Sequence, residues 1–321
     1  MAARYLRFQL RGSPEPDSAE PGGAGSAEPH RAEQDSAEPR AVLLERLLAR
    51  ADFMAEVHDW REEAFNVIAP KVPIPAVAAV AHRSAAGPRR DGWVFLATPV
   101  HYLAELSNVR FAGEGILSLD AAEAAALALD FNRVWNDAGV DLWAGSNRLF
   151  CGFDAPLEVT TQDPELARGR HLESFLPTGP DAPRLRRLMS EVEMWLFDHP
   201  VNRGRRQQAQ LPISGLWLWG GGAPLASLPQ VQGGAAGEDV LFDAFPPHGG
   251  RGADVMVVDA MPGTAAWVVM EAGWLAAALA DLRRGRLERL NLSAGERRFA
   301  ISARWRRRFW RRAKSWWEYF E

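Results

Sequence analysis

Residues 199–222 read HPVNRGRRQQAQLPISGLWLWGGG, a run that concentrates side chains able to hold an anion. Three consecutive glycines let backbone N–H groups approach a ligand closely, and Arg203, Arg205 and Arg206 would supply positive charge beside them. The glycines are not a Walker loop, because no Lys-Ser/Thr follows and APLASLP cannot open a phosphate-capping helix cleanly. Gly220, Gly221 and Gly222 therefore have two readings: a turn needing positive φ where a buried strand leaves its sheet, or part of a ligand pocket at a strand end. His199 and Asn202 either contact an anion or fix a helix end through side-chain-to-backbone hydrogen bonds. Farther on, Asp254 and Asp259 bracket VMVV. Asp259, at the C-terminal end of that strand, could hold a metal or a polar substrate, or cap a loop. His248 completes the metal candidates, but the seven histidines are scattered, with no Asp/His cluster at ligand spacing.

These residues must be positioned by a fold of some size. The chain has 321 residues, 47% hydrophobic and 24% charged, enough for one large or two modest globular units. A net charge of −4 gives no whole-molecule reason to expect nucleic acid. The single cysteine, Cys151, excludes an intrachain disulfide and fits a reducing cytoplasm, the expected location. No apolar run approaches the roughly 18–20 residues of a membrane span, and MAARYLRFQL has no apolar signal region.

Hydrophobic periodicity then orders the elements. Residues 1–10 predict a short strand, and 11–40, with three SAEP repeats among Gly and Pro, predict a disordered linker. Helices are expected from 41, over 58–68, after Ser118 as N-cap and over 181–198, where His199-Pro200 ends the last. Residues 92–113 predict two strands, and 140–159 a hairpin around Gly145-Ser146-Asn147. In SGLWLW, Trp217 and Trp219 face one way and Leu216 and Leu218 the other, so this strand is apolar on both sides and central. A strand at ADVMVVDA, a helix over 264–283 and two strands at RLERLNLS and RRFAIS follow. The class is α/β or α+β, with an α+β subdomain over 41–208, a second α/β subdomain over 209–303 and a basic aromatic helix over 304–321. That last segment interleaves seven basic residues with Trp305, Phe309, Trp310, Trp316, Trp317, Tyr319 and Phe320. It either docks its aromatic face on the body, with arginines in water, or meets a membrane surface, a nucleic acid or a protein partner.

The stretch from GPDAPRLRR to LWLWGGG resembles the RpfE-type family of bacterial proteins, whose usual label is cofactor-independent phosphoglycerate mutase. The residues that carry this resemblance are His199, Pro200, Val201, Asn202, Arg206, Leu216, Trp217, Leu218, Trp219, Gly220 and Gly222. Upstream, NVRFAGEGILSLDAAEAAAL, GSNRLFCGF and VTTQDPELARGRHLESFLPTGPDA are similar to pieces of the inserted domain of archaeal-type mutases. Downstream, LRRGRLERLNLSAGERRFAISARWRRRFWRR resembles the closing segment of RpfE-type proteins. The likeness runs over residues 40–312 for the RpfE type and 95–225 for the mutases. Mutase membership would imply two divalent metals on Asp and His and a serine nucleophile. The family's DGxGD start and DxxGHD block are both absent.

The resemblance with its missing blocks implies a non-catalytic regulatory or binding protein, with a phosphorylated small molecule held by His199, Asn202, Arg203, Arg206 and Gly220 to Gly222. No cofactor is expected on that reading. The alternatives are a metal-dependent phosphoryl-transfer enzyme using Mn or Mg on Asp254, Asp259 and His248, and a peripheral membrane or complex component acting through the C-terminal segment.

Overall fold

The computed structural model describes residues 3–8, 41–54, 60–84, 92–105, 108–145, 148–237, 239–245, 253–258, 260, 262–295 and 297–320. The expected linker over 11–40 lies outside them, as do His248 and Asp259. The chain opens with β1 (Ala3–Phe8), α1 (Val42–Leu48), β2 (Asp52–Met54), α2 (Trp60–Ile68) and α3 (Val77–Ser84). Then come β3 (Trp93–Ala104), β4 (Val109–Ile116), α4 (Ala121–Trp135), β5 (Val140–Gly145), β6 (Arg148–Phe153), α5 (Ala182–Phe197) and α6 (Pro200–Gln207). The chain continues through β7 (Gly215–Gly222), β8 (Ala235–Gly237), β9 (Val255–Val258), α7 (Ala265–Met270), α8 (Ala276–Arg283), β10 (Arg289–Ala294) and β11 (Arg297–Ser302). The architecture is mixed α/β, with two sheets and helices on their faces.

Two compact units divide the chain. One comprises residues 1–67, 234–238 and 247–321, the other 68–233 and 239–246. The expected boundary at 208/209 lies inside the second of these units, between α6 and β7. A boundary between units depends on which strands pair, and β7 pairs with β3.

In the first unit the sheet order is β2-β11-β10-β1-β9-β8. β1 lies parallel to both β9 and β10, while β10, β11 and β2 are antiparallel. Its core gathers Leu6 and Phe8 with Leu44, Leu47, Trp267, Leu275, Leu279, Leu290 and Ile301. From Ala265 to Arg283 the chain is continuously helical, with a π turn at Glu271–Leu275 between α7 and α8. By length and composition this helix could cross a membrane, although Glu271 and Asp281 interrupt its apolar run. In the unit it buries Trp267, Trp274, Leu275, Ala278, Leu279 and Leu282. Glu271 earns its place here: its Oε1 accepts from the N–H groups of Leu43 and Leu44 at 2.7 and 2.9 Å, capping α1.

The segment after β11 is not the α-helix expected over 304–321. It forms a 3₁₀ turn at Ala303–Arg308 and another at Trp316–Tyr319, because Trp305 and Trp316 are both drawn into the core and the chain between them is pulled off a helical path.

The second unit is an antiparallel sheet organised on β3. One edge of β3 pairs with β7, and the other pairs with β6 and then β4, with β5 beyond β6. α4 and α5 cover one face through Leu127, Phe131, Leu185, Leu188, Val192 and Leu196, packed against Leu216 and Leu218. Trp217 and Trp219 face the other cluster with Ala78, Phe111 and Phe150. β7 is thus apolar on both sides, as its sequence implies. The N-cap of α4 is Asp120 rather than Ser118: Asp120 Oδ1 accepts from the Glu123 N–H and Glu123 Oε2 from the Asp120 N–H, a reciprocal pair that a lone serine farther upstream cannot match. Residues 200–207, a basic stretch after the expected helix end, form α6, since Pro200 at the first helical position suits a start as well as it ends α5.

Glu271→Ala should lower unfolding stability by about 1–2 kcal/mol through loss of the α1 cap, while Glu271→Gln, which keeps an acceptor, should retain most of it. Urea unfolding followed by circular dichroism measures both.

Candidate functional site

Asn202 is the centre of the HPVN region, and it is 1% exposed. Its Nδ2 donates to the carbonyls of Leu196 and Ile213 at 2.7 and 2.8 Å, and its Oδ1 accepts from the Ile213 N–H at 2.7 Å. The amide thereby ties the end of α5, the body of α6 and the approach to β7. Its neighbours hold the rest of that approach, residues 211–214. Arg205 Nε donates to the Leu211 carbonyl at 2.8 Å. His101 Nδ1–H donates to the Pro212 carbonyl at 2.9 Å. Ser214 donates its N–H to Val100 at 2.7 Å and accepts the Tyr102 N–H on Oγ at 3.0 Å. Arg205 also forms a two-oxygen pair with Glu123 at 2.9 and 3.0 Å, joining α6 to α4.

His199 caps α6. Its Nδ1 accepts the Val201 N–H at 3.2 Å, so in the neutral ring the proton sits on Nε2, which lies 3.5 Å from Asp130 Oδ2. The ring packs on Trp195 with centroids 4.5 Å apart. Burial lowers the His199 pKa from its ordinary 6.5; Asp130 opposes that shift and the Arg203 charge adds to it. The neutral ring is a structural cap, with both nitrogens directed at protein groups. Arg203 and Arg206 are exposed and donate to the carbonyls of Asp198 and Phe197 at 2.7 and 3.3 Å, at the C-terminal end of α5 where cations are favoured.

The glycines are elsewhere. Ile213, which Asn202 holds, lies two residues before β7, and Gly220 lies seven residues on; at ~3.3 Å per extended residue the two are about 23 Å apart. The structure therefore does not bring His199, Asn202 and Arg206 together with Gly220, Gly221 and Gly222, and the pocket composed of all of them is not formed. Periodicity places residues on faces but says nothing about which end of a strand a neighbouring helix occupies. At the glycine end the space is filled. Gly220 adopts the expected positive φ, +65, but does so within β7. The strand stays paired with β3 to Gly222, with a register shift between Leu96–Trp219 and Val94–Gly222, so the glycine serves an irregularity in the ladder and not a turn out of the sheet. A Cβ on Gly221 would stand 2.2 Å from the Phe95 ring, and one on Gly222 would stand 2.2 Å from Ala76 Cβ, just before α3. These glycines admit protein atoms.

Asp254 Oδ2 accepts the Gly234 N–H at 3.1 Å, and its Oδ1 lies 4.0 Å from Arg4 Nε. Arg4 also pairs with Asp281 at 3.1 Å. A carboxylate facing a guanidinium and a backbone donor does not fit a divalent cation. Among the described residues no group of three or more His, Cys, Asp and Glu side chains is placed to hold a metal.

What sequence reasoning did not single out is a cavity of about 170 Å³ in the second unit. Its walls include Leu96, Ala97, Pro99, Leu117, Leu149, Trp219 and Val240, with Thr98 and Arg148 as polar members. Trp219 Nε1 donates to Thr98 Oγ1 at 2.8 Å, so those two groups satisfy each other. Arg148 Nη2 pairs with Asp243 Oδ2 at 2.8 Å. Burial pushes the Asp243 carboxyl up, against the opposing pull of Arg148. Arg148 opens β6 after the hairpin turn; no spacing rule connects it with Val240, almost a hundred positions away, and only the sheet brings them together.

The relationship this chain shows to known proteins is phosphoglycerate mutase-like, at low identity and over a fraction of its length. A 64-residue stretch is 34% identical to a probable 2,3-bisphosphoglycerate-independent phosphoglycerate mutase of Geobacter sulfurreducens, covering 20% of this chain and 16% of that protein. A 62-residue stretch is 39% identical to the 2,3-bisphosphoglycerate-independent phosphoglycerate mutase of Methanothrix thermoacetophila, covering 19% and 16%. Among solved structures, a cofactor-independent phosphoglycerate mutase from Thermoplasma acidophilum aligns over 94% of this chain and 90% of its own, with 14% identity and a TM-score of 0.35. A protein from Pyrococcus horikoshii aligns over 93% and 87%, with 10% identity and a TM-score of 0.35. No protein-family model matches the chain.

Asn202→Ala orphans three backbone groups and should cost roughly 3–5 kcal/mol in a urea unfolding curve, far more than Arg206→Ala at the exposed face of α6. For His199 the sign is set by its lowered pKa. As pH falls through 6.5 the unfolded chain takes up a proton that the folded ring resists, so stability is lost on acidification until the folded pKa is passed. His199→Asn keeps a capping oxygen without the titration, and its thermal midpoint should fall less than that of the wild type between neutral and mildly acid pH.

Proposed function

We propose that this chain is a regulatory or ligand-binding protein of the RpfE type, which uses a mutase-like module as a scaffold and does not turn over phosphoglycerate. The observation that supports this reading is where the polar groups of the HPVN run are spent. Asn202 bonds Leu196 and Ile213, and the His199 ring caps Val201. The glycines of the same run are packed against Phe95, Ala76 and Val77. Residues kept for such reasons persist whether or not catalysis does.

The ligand position this reading favours is the cavity at Arg148. Its volume of about 170 Å³ is close to that of an engineered apolar cavity of about 150 Å³ that admits benzene. A single guanidinium already sharing one edge with Asp243 suits a small apolar monoanion, such as a short or aromatic carboxylate. A phosphate dianion needs more donors than this wall offers.

Two measurements test the proposal. Purified protein supplied with Mn²⁺ and 3-phosphoglycerate should form no 2-phosphoglycerate above the enzyme-free blank; turnover that scales with protein concentration overturns the scaffold reading. In a thermal-shift screen, a saturating monocarboxylate should raise the wild-type midpoint by several degrees and leave Arg148→Ala unmoved. Stabilisation by phosphorylated metabolites alone, undiminished in Arg148→Ala, would reject the cavity.

A further inference from the structure

The 3₁₀ turn after β11 leaves Phe309 76% exposed and Trp310 65% exposed, although Trp305 before them and Trp316 after them are buried. The two core tryptophans pin both ends of the segment on the first unit. Arg308 reinforces this by pairing with Asp52 at 2.6 Å, and Arg311 by donating to the Ala51 carbonyl at 3.2 Å. The aromatic pair is thus held out on a fixed loop. Around it stand Arg304, Arg306, Arg307 and Arg312, all exposed, for which no ion pair or hydrogen bond occurs among the described residues. No acidic residue interrupts the sequence between Ala303 and Trp317. In a chain of net charge −4, this is a local concentration of cation around an apolar tip.

We infer that this loop seats the protein on an anionic lipid surface, with Phe309 and Trp310 entering the headgroup layer and the four arginines meeting lipid phosphates and carboxylates. Aromatic rings prefer that interface, and Arg stems can lie along apolar surface while their heads stay hydrated. Each basic side chain beside such a surface strengthens binding about five-fold, so the cluster and the aromatic pair together give reversible attachment. Nucleic acid fits the same features less well. Phe309 and Trp310 meet edge to face at 81°, which makes a wedge and not a flat platform for a base. The cations crowd one turn, whereas a backbone-tracking site extends along many phosphates.

The experiment is co-sedimentation of the full chain with phosphatidylcholine vesicles, with and without phosphatidylserine. Wild type should sediment with the serine-containing vesicles only, and raised salt should release it. Phe309→Ser/Trp310→Ser and, separately, Arg306→Gln/Arg307→Gln/Arg312→Gln should each weaken the binding at least ten-fold. Both sets alter exposed side chains, so unchanged thermal midpoints show that folding is intact. Should either set lose its fold, the matching single substitutions, Trp310→Ser or Arg307→Gln, should still show a measurable loss of binding. Absence of wild-type binding to anionic vesicles, equal binding to both vesicle types, or variants that bind as wild type would overturn the inference, as would preferential binding to single-stranded DNA.

Discussion

Everything in the second unit depends on how β7 is delivered to β3. A strand apolar on both faces has no solvent side to choose its register, and a slip of one residue would exchange Trp217 and Trp219 with Leu216 and Leu218. The four residues before it have no ladder of their own, yet each is held individually. Leu211 is held by Arg205, Pro212 by His101, Ile213 by Asn202, and Ser214 by the backbone of β3. Polar bonds formed by buried or half-buried side chains therefore set the register of an apolar strand, which burial alone leaves undetermined.

The same constraint explains why an HPVN run resembles a binding site. A histidine, an asparagine and arginines beside a glycine-rich strand are the residue types an anion would select. They are also the types that satisfy the exposed ends of two successive helices. Cap acceptors serve the N–H groups of α6, and cationic donors serve the last carbonyls of α5. Chemistry in this molecule has to be sought where side chains face a space that protein does not fill, and the wall around Arg148 and the loop at Phe309–Trp310 meet that condition.

Much of the fold was legible in the sequence. Strict 3.6-residue spacing gave α5, and the Leu/Trp alternation of β7 gave a central strand. The hairpin of β5 and β6 followed from its glycine turn. What failed was whatever depends on partners remote in the chain. The boundary at 208/209 fell inside a unit because β7 belongs with β3. The helix expected over 304–321 broke because two tryptophans found one core. The anion pocket came apart because adjacency along residues 199–222 is not adjacency in space: Gly220 to Gly222 end the eight-residue strand β7, and the residues that hold His199 and Asn202 lie before its start. Arg148, which lines the cavity, carries no local signal at all; its neighbours there come from β3, β7 and residues near 240.

The division of the chain also governs the order in which the molecule can be assembled. β1 is made long before its partners, since Tyr5 lies opposite Val255 and Ala3 opposite Arg289. The whole second unit emerges from the ribosome before either neighbour of β1 exists. That unit is closed at its own base, where Gln232 and Gly233 donate to the Ile68 carbonyl at 2.7 and 3.1 Å. Its sheet can be complete while the first unit is still two unpaired strands, β1 and β2, and a few helices. A nascent chain must therefore carry β1, and likewise β2, whose partner is β11, as unpaired strands while the whole second unit is made.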